Sequence, residues 1–372
     1  MAIISSQAFS IVNFRGPLIA ALVARGVRVF ALAPDFDENL RQRVRQLGGQ
    51  PVDYSISRAG LNPLRDLRDM LGLARVLRRL SPDATLAYFI KPVIYGSIAA
   101  WLARVPYRYS LITGLGFVFA QNPESRGVGR LLLRSVVGRL YGFALARNRR
   151  VVFQNEEDIR TLIEGGIVDR RKAVLVPGTG VDLEHYAVAP PVLQPPVFLM
   201  VARMLREKGV CEFVEAAREV RRRCPSSRFI LVGGTDPNPG SIAAVQLERW
   251  AAEGVVEWIG QVSDVRPWLA QASVFVLPSY YREGVPRGNQ EAMAMGRPVI
   301  TTDWVGCRET VVDGVNGFLV PVRDAAALAK SMMRFIEEPG LIARMGDEGR
   351  KMAQARFNVH DLNRRLIDVF SL

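Results

Sequence analysis

Short runs of aliphatic and β-branched residues alternate with stretches whose apolar positions recur every three or four residues. In the first half the short runs are "AIIS", "RVFALAP", "ATLAYFI", "RYSLITG" and "RRVVFQN". Between them the spacing predicts helices over 16–25, 38–47, 64–80, 93–103 and 126–146. In the second half the runs are "VFLMVAR", "RFILVGG", "VEWIG", "VFVLPS", "PVITTD" and "GFLVP", and the helical patterns fall at 208–223, 241–253, 264–270, 288–295 and 324–337. Continuous apolar strands between amphipathic helices predict an α/β protein whose parallel sheets are covered on both faces. The pattern runs twice, so two such domains are expected.

The break between the halves is chemical as well as periodic. Pro190, Pro191, Pro195 and Pro196 crowd a stretch with little periodicity. Proline fixes φ and removes a donor, so a stiff linker is expected there. The expected domains are 1–180, a linker at 181–196, a second domain at 197–354 and a closing helix at 355–372. A chain of 372 residues is too long for one ordinary core, which agrees with two domains. No run of 18 uncharged apolar residues predicts a membrane span, and "MAIISSQAFS" lacks the basic start and long apolar stretch of a secretory signal. Three cysteines without metal-ligand spacing suit a reduced cytoplasm, and two histidines leave little for a histidine metal site or triad.

Charge divides the halves more sharply. Residues 1–180 hold 26 Lys+Arg and 13 Asp+Glu, whereas residues 181–372 hold 23 of each, so the whole +13 lies in the first half. A one-sided basic field suits an anionic partner: nucleic acid, an acidic membrane surface or a phosphorylated substrate. Arginine-rich composition alone is the plainer alternative. The stretch 126–146 places Arg126, Arg130 and Arg134 beside a leucine-rich face. That pattern suits a helix lying on an anionic membrane, or one packed on the sheet with a solvated edge.

Candidate chemistry gathers where second-half strands end. "VFVLPS" runs into "YYREGVPRGNQEAMAMG", which sets Glu283 and Glu291 on either side of a Gly-Val-Pro turn before a helix. A helix start is an anion site. Two carboxylates beside it would repel a phosphate but accept hydrogen bonds from sugar hydroxyls. The pair therefore reads as one carboxylate for each sugar flanking a diphosphate. Arg203 and Lys208, in "VFLMVARMLREKGV", can converge on that diphosphate, the first as a planar fork and the second as a point charge. Gly233 and Gly234 end another strand, which alone is ordinary turn chemistry. Lys91, ending "LAYFIK", reads as an acceptor-phosphate contact or as a plain strand-end lysine.

Together with "IGQVSDVRPWLAQASVFVLPS" and "GCRETVVDGVNGFLV", these motifs resemble the family 4 retaining glycosyltransferases of GT-B fold, across the whole second half. In the first half "FSIVNFRGPLIAALVARGVRVFALAPD", "FIKPVIYGSIAAW" and "ITGLGFVF" resemble the bacterial subgroup acting on undecaprenyl-diphosphate-linked glycans. The resemblance implies two Rossmann-like domains facing each other across a cleft. It implies that Arg203 and Lys208 hold the donor diphosphate, that Glu283 holds the transferred sugar, and that Glu291 accepts the ribose hydroxyls. Gly233, Val262, Gly284, Val285, Pro286, Arg287 and Gly288 line the donor site in that reading, and Gly16 corresponds to a glycine loop beside the phosphates. Asn13, Arg15, Lys91 and Thr113 are the acceptor-side candidates. Thr113 and Gly114 stand where many relatives carry a histidine, so no histidine role carries over. The end, "ARFNVHDLNRRLIDVF", resembles the helix that returns to the first domain.

The expected activity is retaining transfer of a sugar, an N-acetylhexosamine, from a UDP-sugar to a polyprenyl-diphosphate-linked saccharide. No metal or cofactor is expected beyond the donor, and the enzyme is placed at the inner face of the bacterial cytoplasmic membrane. The alternatives are a soluble or different lipid acceptor, a silent nucleotide-sugar-binding partner, and a basic nucleic-acid-binding protein. The last lacks any recognisable nucleic-acid module or basic-aromatic interleaving, and no nucleic-acid partner is expected.

Overall fold

The computed structural model describes residues 1–57, 62–116, 128–236, 238 and 240–371, with the side chains of 128–134 outside the description. The chain divides into two compact units, one of Met1–Thr179 with Val359–Leu372 and the other of Gly180–Asn358. The segment expected as a linker, 181–196, therefore belongs to the second unit. Arg297 explains part of this. Its fully buried guanidinium donates to the carbonyls of Leu269, Ala270 and Pro190 at 2.8, 3.1 and 3.2 Å, tying the proline-rich segment to that unit. Burial lowers the Arg297 pKa to about 10.

The first unit runs β1 (Ala2–Ile4), α1 (Ala8–Val23), β2 (Phe30–Ala33), α2 (Glu38–Gln46), β3 (Gln50–Asp53), α3 (Pro63–Leu80), β4 (Ala84–Tyr88), α4 (Ser97–Leu102), β5 (Tyr107–Ile112), α5 (Val128–Leu145), β6 (Arg150–Phe153), α6 (Glu156–Glu164) and β7 (Ala173–Leu175). Its seven strands lie in the order β3-β2-β1-β4-β5-β6-β7, each paired parallel to its neighbour. Strand alternation buries both faces. Ile3 joins one apolar cluster with Ile11, Leu18 and Leu22 of α1, while Ala2 and Ile4 join another with Leu73 and Leu77 of α3. Such strands must be apolar at every position, and β1, β2 and β4 are buried throughout.

Edge strands β3 and β7 carry no such demand, and neither is expected from the sequence. "QPVD" and "AVL" are half-exposed, and Pro51 is tolerated because an edge strand leaves one set of N–H groups unpaired. Helix α1 starts eight residues earlier than its pattern predicts. The Gly16-Pro17 pair looks like a helix start but lies inside α1.

The second unit runs β8 (Val197–Val201), α7 (Val210–Arg223), β9 (Arg228–Val232), α8 (Ala244–Ala252), β10 (Glu257–Gly260), α9 (Arg266–Ala270), β11 (Val274–Leu277), α10 (Arg287–Ala294), β12 (Val299–Thr302), β13 (Gly317–Val320), α11 (Ala325–Glu337) and α12 (Gly340–Arg356). The sheet order is β10-β9-β8-β11-β12-β13, again parallel throughout. One continuous core fills it, and Phe198 and Phe229 stack across β8 and β9 with centroids 5.3 Å apart. Helix α12 is not expected from the sequence, because Gly346 and Gly349 interrupt its period. The structure requires the first of these: a Cβ on Gly346 would lie 2.2 Å from the Gly296 carbonyl oxygen.

Helix α13 (Val359–Phe370) belongs to the first unit. Leu362, Leu366, Ile367 and Phe370 join the α1 core cluster, and the Tyr109 hydroxyl donates to the Phe370 carbonyl at 2.8 Å.

Candidate active site in the second unit

The order of the second sheet reverses between β8 and β11: β9 lies to one side of β8, and β11 to the other. In open parallel sheets the space beyond the carboxyl ends at this reversal is where ligands bind. Arg203 lies two residues beyond β8, Lys208 ends the turn before α7, and Glu283 lies in the loop beyond β11.

Close backbone approach builds this edge. A Cβ on Gly209 would sit 2.2 Å from the Pro278 carbonyl oxygen, and one on Gly233 would sit 1.8 Å from that of Ala202. Both glycines have positive φ, +82° and +147°, which L side chains rarely adopt. The Glu207 carbonyl accepts the N–H groups of both Tyr280 and Tyr281 at 2.9 Å, so the turn after β8 holds the loop after β11.

On this frame Lys208 Nζ meets Glu283 Oε2 at 2.7 Å, with both side chains largely buried. The Ser279 hydroxyl donates to Glu283 Oε1 at 2.9 Å, and the Lys208 ammonium lies 5.5 Å from the centre of the Tyr281 ring. Arg203 donates to Asp236 Oδ2 at 3.0 Å. Burial pulls the Arg203 pKa down, but the hydrogen bond and charge of Asp236, helped by Tyr281 and Glu283, more than reverse this. Burial in turn raises the pKa of Tyr281, opposed by the Arg203 charge. Beneath the loop the Cys307 thiol is pushed up to about 12 by complete burial, with the Glu283 charge adding to it.

Glu291 is the fifth residue of α10 and is held separately. Its Oε1 accepts from Arg287 Nε at 2.7 Å and from the Tyr186 hydroxyl at 2.9 Å. Burial and the Glu291 charge push the Tyr186 pKa far up, so Tyr186 stays a neutral donor. With Oε1 doubly engaged, Oε2 is the oxygen with capacity left for a ligand hydroxyl.

The other donor-side candidates stand around this edge. Pro286 precedes the first turn of α10, after Gly284 and a buried Val285. A Cβ on Gly288 would press on Phe275 of β11 at 3.0 Å, so this glycine brings the helix start onto the strand. The Gly233 carbonyl accepts from the Trp258 indole at 2.9 Å, and Val262, beyond β10, packs on the core.

First-unit candidates stand differently. Gly16 is not in a loop: it lies in α1, with Leu47 Cδ1 3.3 Å from where its Cβ would be. Asn13 and Arg15 share that helix. Asn13 caps back to the Phe9 carbonyl at 2.9 Å, and the buried Arg15 guanidinium lies 5.2 Å from the centre of the Tyr88 ring. Lys91 is not at a strand end, since β4 stops at Tyr88. Its ammonium pairs at 2.8 Å with the buried Asp66 of α3, which also accepts from Tyr95. Thr113 is half-buried just beyond β5.

Asp236, Ser279, Tyr281 and Tyr186 escape sequence reasoning. Each is a common residue in a loop or proline-rich segment, and only the fold brings it to a charged partner. The Asp in "GGTDP", four residues beyond the end of a strand, is the one signal that could have been used.

Two doubly wound parallel units in one chain, the second with its charged groups at the sheet reversal, are the GT-B arrangement. Solved structures match it end to end: HepE of Anabaena with UDP-glucose (TM-score 0.79, 19% identity, 100% of this chain and 98% of that one) and a sucrose-phosphate synthase of Thermosynechococcus elongatus (0.76, 20%, 100% and 98%). The family model for glycosyl transferases group 1 matches residues 195–338, and that for the glycosyl transferase 4-like domain matches residues 13–179. N,N'-diacetylbacillosaminyl-diphospho-undecaprenol alpha-1,3-N-acetylgalactosaminyltransferase of Campylobacter jejuni is 30% identical over 91% of this chain and 89% of its own length. UDP-Gal:alpha-D-GlcNAc-diphosphoundecaprenol alpha-1,3-galactosyltransferase of Escherichia coli is 26% identical, over 87% and 86%. The chain belongs to this family of group 1, family 4-like glycosyltransferases.

Proposed function

We propose that this chain transfers a sugar from a UDP-sugar to a polyprenyl-diphosphate-linked saccharide, with retention and without a metal. The observation carrying the proposal is the Lys208–Glu283 pair, set beside Arg203 at the sheet reversal with Glu291 on the adjoining helix. Lys208 and Arg203 neutralise the charge that grows on the leaving diphosphate, and the start of α10 adds its dipole. Glu283 accepts from hydroxyls of the transferred sugar, and Glu291 Oε2 from the ribose. Attack comes from the face the diphosphate leaves, because Glu283 is engaged by Lys208 and Ser279 rather than placed as a nucleophile. The names of the Campylobacter and Escherichia relatives support the lipid-linked acceptor and an N-acetylhexosamine or hexose as cargo, and with it work at the inner face of the cytoplasmic membrane. The test is transfer from UDP-, GDP- and dTDP-sugars with and without a polyprenyl-diphosphate acceptor. Activity confined to another nucleotide, or indifferent to the lipid, overturns it.

The two glutamates separate by calorimetry. Glu291→Gln should weaken UDP binding about 10- to 100-fold, because it removes a charge-assisted acceptor. Glu283→Gln should leave UDP bound at least as tightly, since it releases the Lys208 charge, while transfer falls. Equal losses of UDP affinity would refute that division.

Activity should also survive EDTA, since Arg203 and Lys208 take the role a divalent ion would have. Loss on chelation, restored by magnesium or manganese, would overturn this account of the leaving group.

A further inference from the structure

The lipid-linked acceptor proposed above needs a route to the bilayer, and the arginines first expected to provide it do not settle one. The side chains of Arg126, Arg130 and Arg134 lie outside the described residues. Helix α3 offers an independent observation. Leu64, Leu67 and Leu71 are 80%, 49% and 40% exposed, and their three- and four-residue spacing puts them on one face. Among the described residues no other helix exposes three large apolar side chains in this way.

The charges of α3 sort by face. Arg65, Arg68, Arg75, Arg78 and Arg79 are all exposed, whereas its two acidic residues, Asp66 and Asp69, are buried. Asp66 is answered by Lys91 and Tyr95, and Asp69 by Ser55 and, at 4.0 Å, by Arg65. The outward face therefore presents leucine and guanidinium with no exposed carboxylate. Arg68 and Arg75 each follow a leucine of the stripe by four residues, one turn along the same face. The helix is firmly ended, with Asn62 accepting the Arg65 N–H at 3.1 Å, Pro63 in the first turn and Ser81 in the left-handed region. Its inward face is anchored by Leu73, Ala74 and Leu77. The exposed leucines are thus held on a rigid element.

We infer that this face of α3 is the membrane-docking surface, and that its occupant is an anionic lipid bilayer. A leucine stripe bordered by arginine suits the boundary between acyl chains and headgroups, where apolar side chains enter and guanidiniums meet phosphate. A protein partner would instead have to bring carboxylates to meet these guanidiniums, since charge buried at an interface must be paired. Burying this stripe against a protein would bury Arg68 and Arg75, beside which α3 exposes no carboxylate.

Co-sedimentation with phosphatidylglycerol–phosphatidylethanolamine vesicles tests this, with phosphatidylcholine vesicles as control and no donor or acceptor present. The wild type should bind the anionic vesicles and lose binding as salt rises. Leu64→Gln/Leu67→Gln/Leu71→Gln should lower the bound fraction at least tenfold, and Arg68→Gln/Arg75→Gln should do so chiefly at low salt. These exposed changes should leave the melting temperature and UDP affinity unaltered, which excludes misfolding. Transfer to a short-chain soluble acceptor should be unaltered too, so failure of docking and failure of the proposed reaction are read separately. Wild-type binding by the leucine variant overturns the inference. So does a wild type that ignores anionic vesicles, or one that uses α3 to dimerise in sedimentation equilibrium.

Discussion

Lys208→Ala should lower kcat/KM by roughly 30- to 1,000-fold, or about 2–4 kcal/mol of transition-state stabilisation. The size follows from where Lys208 stands. Its ammonium is largely buried against Glu283, so solvent screens it weakly, and the charge it meets grows as the glycosidic bond breaks. Removing it also strands Glu283 without its cation, next to a leaving diphosphate of like charge. Arg203→Lys should be damaging as well, because a point charge cannot serve Asp236 and a phosphate oxygen together as a fork does. Initial rates over a range of donor concentrations decide it. A fall in kcat with KM nearly unchanged is the expected signature, and turnover near wild type in both variants would remove them from the site.

The second large effect is structural. Gly306 has φ +80°, and a Cβ there would lie 2.2 Å from the Gly284 carbonyl oxygen and 2.8 Å from that of Glu283. Gly306→Ala should therefore cost about 2–4 kcal/mol and displace the Glu283–Gly284 loop, lowering the melting temperature and abolishing most transfer. Gly254→Ala is the matched control. Gly254 also has positive φ, +69°, but nothing lies within 4 Å of its added Cβ. It should lose only the backbone strain, about 1 kcal/mol, with activity intact. Equal melting shifts in the two variants would show that strain, not the packed loop, sets the cost.

Elements buried on both sides were legible in the sequence, because burial on two faces demands an apolar residue at every position. The inner strands of the second sheet, β9, β8, β11 and β12, are of this kind. What escaped is where that demand is absent: β3 and β7 at sheet edges, and α12, whose Gly346 serves a close backbone approach rather than a periodic face. The same distinction applies to the site. Arg203, Lys208, Glu283 and Glu291 stood out as candidates because each lies in a turn that follows a strand or in the first turns of a helix. Their partners Asp236 and Tyr186 come from loops 33 and 105 residues away in sequence, beyond the reach of any local pattern. Gly16 was misplaced for a related reason, since a Gly-Pro pair announces a turn locally and only the packing of α1 allows it mid-helix.

The carboxylate partners of the two cations have a consequence for the end of the reaction cycle. Arg203 pairs with Asp236 and Lys208 with Glu283, so each cation has a carboxylate of its own. A nucleoside diphosphate must compete with two tethered anions that are always at hand. Its attraction to the site is moderated accordingly, and each cation has a ready replacement partner when the spent diphosphate departs. In the proposed reaction this would ease the escape of the spent nucleotide.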